Sequence, residues 1–331
     1  MFLVKDLGVA ILFCVITMLG WGSWANTQKI SAKRDWPFPL FYWDYVIGVF
    51  LAALVFLVTL AGFGEFGSSA ARNLSAAPAG ILAQAVFSGV LFNASNILLV
   101  VAIDAAGMAV AFPVGVGLAL VIGTVASYAQ APKGSPALIF SGVALVVLAM
   151  AMSAVARRKL PQTTGRGWVR GILYAMIAGS VMGFFYPQLV ATISPSFQAG
   201  TVEAGYLDPY GALVLFGLGV VLSNLAVNTI LIRVNKLSYA RYFKGSLGDH
   251  WPGVLGGAIW MIALTANILA SGVAGPAISY ALGQGATLVA ALWGVFIWRE
   301  FRGASGVTLP LALMFAAYGC GLLLIGMATL R

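Results

Sequence analysis

Charged side chains are scarce in this chain: Asp, Glu, Lys and Arg together make up 8% of its 331 residues, where soluble domains carry about 25%. Histidine occurs once and cysteine twice. Cys14 and Cys320 lie far apart with no ligand-like spacing, so they read as small core residues rather than a disulfide or a metal site. His250 has no ligand cluster around it in the sequence, and no metal is assigned. With so few acids and a single imidazole, convergent nucleophile, acid or metal groups are not to be had inside the apolar segments, and the chain is not expected to be an enzyme.

What the sequence has in abundance is apolar length, 61% of its residues. Long apolar runs fall at about 7–28, 38–62, 79–101, 105–129, 136–156, 168–192, 209–232, 252–273, 275–298 and 308–330. Each reaches or exceeds the ~20 residues needed to cross a hydrocarbon core. The expectation is therefore an all-α membrane protein of ten transmembrane helices, with the lipid bilayer as its solvent. A cleavable leader fits poorly, because the first run is long and Asp6 offsets Lys5 in front of it.

The formal net charge of +9 would suggest nucleic acid in a soluble protein; here it reports orientation, and no nucleic-acid partner is expected. Fourteen of the 18 Lys and Arg residues fall in the loops after the first, fifth, seventh and ninth runs or, for Arg170, just inside the run that follows. The positive-inside rule puts those loops in the cytoplasm and both termini outside a cell membrane. The most basic stretch, about 158–167, divides the chain into a first half at 1–157 and a second at 168–331. Five helices per half makes the second half enter the membrane inverted. Gly107, Gly115 and Gly117 recur 168 residues later as Gly275, Gly283 and Gly285, with Phe112 falling on Tyr280. Two inverted five-helix repeats are the usual plan of a secondary transporter.

Polar groups inside the runs are few enough to name. Trp21, Trp24 and Gln28 share one helical face with Thr17. Asp44 is the one carboxylate that falls inside a long apolar run. Such a group normally faces the protein interior and does a job, here proton coupling; the alternative is an interfacial pair with Lys33 or Arg34. Asn93 and Asn96 lie on one face of the third run, Asn224 and Asn228 on one face of the seventh. Gln188 follows Pro187 in the sixth, Trp260 and Asn267 lie seven apart in the eighth, and Tyr280 and Gln284 four apart in the ninth. Any one amide could simply staple two helices, for about 0.6 kcal/mol. Together they suit a cavity for a small neutral polar ligand, with aromatic faces for a flat or pyranose ring. Gly115, Gly117, Pro187, Gly283 and Gly285 are candidate hinges, with close helix packing as the alternative role of the glycines.

The sequences Leu19-Gly20-Trp21-Gly22-Ser23-Trp24 and Tyr42-Trp43-Asp44-Tyr45, then Gly89 with Asn93 and Asn96, Gly107, and Val121-Ile122-Gly123-Thr124 with Tyr128 resemble the ureide permease family. The resemblance is clearest over residues 1–157. That family belongs to the drug/metabolite transporter superfamily, which implies ten helices in two inverted repeats. Gly107-Met108 and Ile122-Gly123-Thr124 are also similar to bacterial rhamnose–proton symporters of the same superfamily. Plant ureide permeases carry a nucleotide-binding-like insert between their halves; this chain has only a short linker there, without a phosphate-cradling Gly-rich spacing, so no cofactor is expected.

The resemblance implies a proton-coupled importer of a ureide or nucleobase-like heterocycle or a sugar, working by alternating access. Sodium stays open as the coupling ion. A sugar-specific symporter and a multidrug or metabolite exporter on the same fold are the rival readings.

Overall fold

The computed structural model describes residues 1–62, 70–106, 108–160 and 167–330. Gly107 and most of the expected linker, residues 161–166, lie outside the described residues. The described chain is all-helical. Its helices are α1 (Leu7–Ser23), α2 (Ala25–Ala32), α3 (Phe38–Thr59), α4 (Ala70–Ala76), α5 (Ala79–Ala106), α6 (Met108–Gln130), α7 (Pro136–Arg157), α8 (Trp168–Val190), α9 (Pro209–Val234), α10 (Tyr239–Phe243), α11 (Leu247–Ala274), α12 (Pro276–Gly283), α13 (Ala286–Leu292) and α14 (Thr308–Met327).

Among the described residues, ten segments are long and apolar enough to cross a membrane: Leu7–Ala32, Phe38–Thr59, Ala79–Ile103, Ala111–Gln130, Pro136–Arg157, Val169–Val190, Pro209–Val234, Leu247–Ala274, Pro276–Ile297 and Thr308–Leu330. They coincide with the ten apolar runs of the sequence, and the chain is a multi-pass membrane protein. Two of the runs are interrupted. The first is divided at Trp24 into α1 and α2. The ninth breaks after Gly283, where two residues separate α12 from α13, and it ends in a π-helical turn over Trp293–Ile297.

The eighth run starts five residues earlier than the sequence suggests, at Leu247, and this draws Asp249 and His250 into the first turn of a membrane-spanning helix. Between α11 and α12 the chain turns on one residue, Gly275, at φ 91°. A side chain is strained at that φ, and Pro276 then opens α12 with its ring pre-set for the first helical position.

By packing, the chain forms two compact units: Met1–Ala94 with Gln188–Val273, and Ser95–Pro187 with Ala274–Arg331. Each unit therefore draws on both sequence halves. In the first unit α3 packs along α9. It also meets α11 at backbone range, because Gly257 lies against the Tyr45 carbonyl and Gly253 against Phe41 and Asp44, where a Cβ would overlap. In the second unit α7 packs along α14, and α6 contacts both α7 and α12. Gly115 of α6 lies directly on the backbone of Gly179 in α8, and Gly117 meets Met150 Sδ at an ordinary 3.8 Å. Pro187 sits inside α8, where its missing N–H leaves the Gly183 carbonyl without the usual helical donor.

Candidate functional site

The first unit contains a carboxylate sealed from solvent. Asp44, nearly two turns into α3, is 1% exposed. Pro37 and Pro39 start α3 without a side-chain cap, and Trp36 in the preceding turn folds back so that its Nε1–H donates to Asp44 Oδ2 at 3.1 Å. Oδ1 takes two partners: the Tyr242 hydroxyl of α10 donates at 2.7 Å, and His250 Nδ1 of α11 lies at 2.8 Å. The three partner rings pack on one another. Trp36 and Tyr242 present edges to the imidazole at 5.1 and 4.8 Å between centroids. An isolated buried carboxylate is costly, whereas one that accepts three hydrogen bonds is held in place.

Neither Lys33 nor Arg34 makes this pair. Arg34 instead lies 3.9 Å from Asp249, and Asp249 accepts from the Ser246 N–H and hydroxyl. Arg241 donates to the carbonyl of Asp35 at 2.8 Å. The turn before α3 is thus tied to the segment around α10 and to the start of α11. Burial, followed by the contact with Asp44, pushes the Tyr242 phenol above its ordinary pKa, so it acts here as a donor.

Several of the amides and aromatics singled out in the sequence are engaged by other groups of the protein. Asn93 is fully engaged: its Nδ2 donates to Ser223 Oγ and its Oδ1 accepts from Tyr42, both at 3.0 Å. Gln188 is bound by Gln84. Asn228 donates to the Pro39 carbonyl at 2.8 Å. Asn224, one turn earlier on α9, is completely buried, and neither atom of its amide meets a hydrogen-bonding group among the described residues. Asn267 is also buried, whereas Asn96, Gln28 and Gln284 are half-buried.

Trp260 is the centre of an aromatic cluster in the first unit, with Phe92 at 4.3 Å, Phe216 at 5.8 Å and Trp21 at 5.9 Å. Trp24 packs on Tyr45 at 4.7 Å. In the second unit Tyr280 is buried against Tyr186 at 4.8 Å, and its hydroxyl donates to the Ala119 carbonyl at 3.2 Å. Tyr186 in turn meets Ser279 Oγ at 3.0 Å. Gly123 leaves the space that the Tyr280 ring fills.

Sequence reasoning missed His250, Tyr242 and Trp36 as partners of Asp44. His250 lies 206 residues from Asp44, and no local spacing links them. The one available signal is compositional: the sole histidine falls at the start of an apolar run.

A pocket of about 550 Å³ lies elsewhere in the first unit, between α4 and the segment 200–206, and is lined by Arg72, Asn73, Thr201, Glu203 and Tyr206 among others. Asn73 ties its walls together by donating to the Tyr206 carbonyl and accepting from the Asp208 N–H.

No protein-family model matches the chain, and no curated protein sequence matches it. Eleven chains of solved structures do match. One of them, described only as "Crystal structure of protein", aligns at a TM-score of 0.58 over 96% of this chain and 97% of its own, with 18% sequence identity. At that identity the likeness is one of fold alone.

Proposed function

We propose that this protein is a secondary active transporter that imports a small neutral polar metabolite together with protons, by alternating access. The observation that carries the reading is the Asp44 site: a carboxylate within a membrane-spanning helix, removed from solvent and bonded to the chain's one imidazole. A titratable group at such a position is expensive to keep and is the expected mark of a proton path. The substrate class follows from the resemblance to ureide permeases and rhamnose–proton symporters, namely a heterocyclic ureide or nucleobase, or a sugar. Asn224 and Gln28, both in the first unit, are the amides proposed to meet it, with Trp21 and Trp24 offering ring faces. The interruption after Gly283 supports a hinge in the ninth span.

On this reading the chain has two inverted five-helix repeats, basic loops in the cytoplasm of a cell membrane, and both termini outside. Protonated Asp44 permits the loaded carrier to turn over, and release of the proton toward the cytoplasm frees the substrate. The test has two parts. Thermal stabilisation of purified protein is screened against allantoin, uracil, hydantoin, xanthine, rhamnose, glucose and ribose, since a specific ligand stabilises by mass action. Uphill uptake of the stabilising compound into proteoliposomes is then driven by a pH gradient in wild type and Asp44→Asn. Full uphill uptake by the variant would sink the proposal.

A further inference from the structure

Asp44 is sealed, and its partner is not. The Asp44 side chain is 2% exposed whereas that of His250 is 22% exposed, and the two meet at 2.8 Å between Oδ1 and Nδ1. Any proton that reaches the carboxylate from water must pass one of its three partners. Trp36 offers an indole N–H that does not titrate, and burial together with Asp44 holds the Tyr242 phenol in its protonated form. Imidazole alone can take a proton on one nitrogen and yield one from the other. Its other nitrogen lies against Gly245, where a Cβ would stand 2.6 Å from His250 Nε2.

We propose that Asp44 and His250 form a single two-residue proton site in which His250 is the port. The inference rests on the reading of Asp44 as the coupling group. In the unloaded site the neutral imidazole carries its proton on Nδ1 and donates it to ionised Asp44. A proton binds Nε2, the Nδ1 proton passes to Asp44 Oδ1, and the site ends with a neutral carboxyl group and a neutral imidazole protonated on Nε2. Release runs the same steps backward, so the ring need not turn over.

The titratable and charged groups around the pair are Tyr242 and Arg241 from α10, Lys244 after it, Asp249 beside His250 on α11, and Lys33, Arg34 and Asp35 on the turn before α3. Asp249 lies between Ser246 and Arg34, and Arg241 is on the Asp35 carbonyl. Tyr242 is therefore the one group of this set bonded to Asp44 besides His250. Trp36 and Tyr242 fix the plane of the imidazole by edge contacts, making them positioning residues for the transfer.

The test needs no substrate. Infrared difference spectra of the purified protein, recorded after a pH jump from about 9 to about 4, show the carbonyl band of a newly protonated buried carboxyl group, and its absence in Asp44→Asn assigns it. His250→Asn keeps an N–H donor near the Nδ1 position but cannot relay. The expected result is the same band with the same final amplitude, appearing about a hundredfold more slowly, the scale of a lost positioned proton carrier. Gly245→Ala, which retains the histidine and sets a methyl against Nε2, should slow it as well, and it serves as the readout if His250→Asn fails to fold. Wild-type kinetics in the variants would overturn the port while leaving Asp44 as the coupling group. Absence of the Asp44 band in wild type would overturn both the port and the coupling role beneath it.

Discussion

The two units bury polar groups in opposite styles. In the first, the buried set is centred on a carboxyl group: Asp44 gathers three donors. In the second, the set is a neutral relay of hydroxyls, from Tyr186 to Ser279 and from Tyr280 to the Ala119 carbonyl. Its ion pair, Arg157 with Glu300 at 3.2 Å, is about one-quarter exposed on each side. A neutral hydroxyl network fixes geometry at every pH, whereas a carboxylate network changes its hydrogen-bonding capacity when it gains a proton. The difference assigns pH responsiveness to the Asp44 network of the first unit and pH-independence to the hydroxyl network of the second.

The sharpest way to break this contrast is Asp44→Ala. It leaves the Trp36, Tyr242 and His250 donors without their acceptor, and the expected loss is about 1–3 kcal/mol for each donor left without a partner away from water; thermal unfolding in detergent reads it. Asp44→Asn, which retains one acceptor, should cost clearly less. In the second unit, Gly123→Ala places a methyl in the Tyr280 ring, and overpacking of this kind costs about 1–3 kcal/mol. The same melts should show it, with Gly123→Ala/Tyr280→Ala partly restored relative to the sum of the singles.

Tyr186→Phe removes one neutral hydrogen bond and should cost about 1 kcal/mol. Removing either member of the Arg157–Glu300 pair should cost about 1 kcal/mol or less, since its exposure leaves it screened by solvent.

The smallest effect concerns pH in the first unit. Asp208 caps α9 through the Tyr210 and Gly211 N–H groups, yet burial raises its carboxyl above the usual carboxylate range. A raised folded-state pKa means the folded chain binds the proton more tightly than the unfolded chain. That contribution to stability is complete at low pH and is lost as pH rises through the folded value. Asp208→Asn keeps a capping oxygen and does not ionise, so its melting temperature relative to wild type should climb between acidic and neutral pH. A constant difference would show that the cap carries no such cost.

Much of this was legible in the sequence for a simple reason: a membrane span announces itself by length and composition. The ten runs coincide with ten helices, and the Gly283–Gly285 segment, read as a candidate hinge, is where the ninth span is interrupted. Asp44 could be singled out because a lone carboxylate in an apolar run is conspicuous by itself. Partners are a different matter, since they are a property of helix pairing. Nothing near Asp44 names His250, and the contact depends on α11 approaching α3 closely enough for Gly253 to touch Asp44. Asn93 and Asn224 likewise look equivalent in sequence, both amides within apolar helices. The fold satisfies the first through Tyr42 and Ser223 and leaves the second with spare capacity.

The interruption of the ninth span has an angular consequence. Between α12 and α13 the backbone tightens: the Gly285, Thr287 and Leu288 N–H groups each bond three residues back, to Leu282, Gln284 and Gly285. Such bonding advances about 120° per residue where an α-helix advances about 100°. Over two residues the side chains beyond the joint are rotated by roughly 40° from the phase set by α12. On a regular helical wheel Thr287 falls about 20° short of Tyr280, and the tightened joint carries it to about 20° past. Straightening this joint would sweep every side chain of α13 around the span axis without moving the helix sideways.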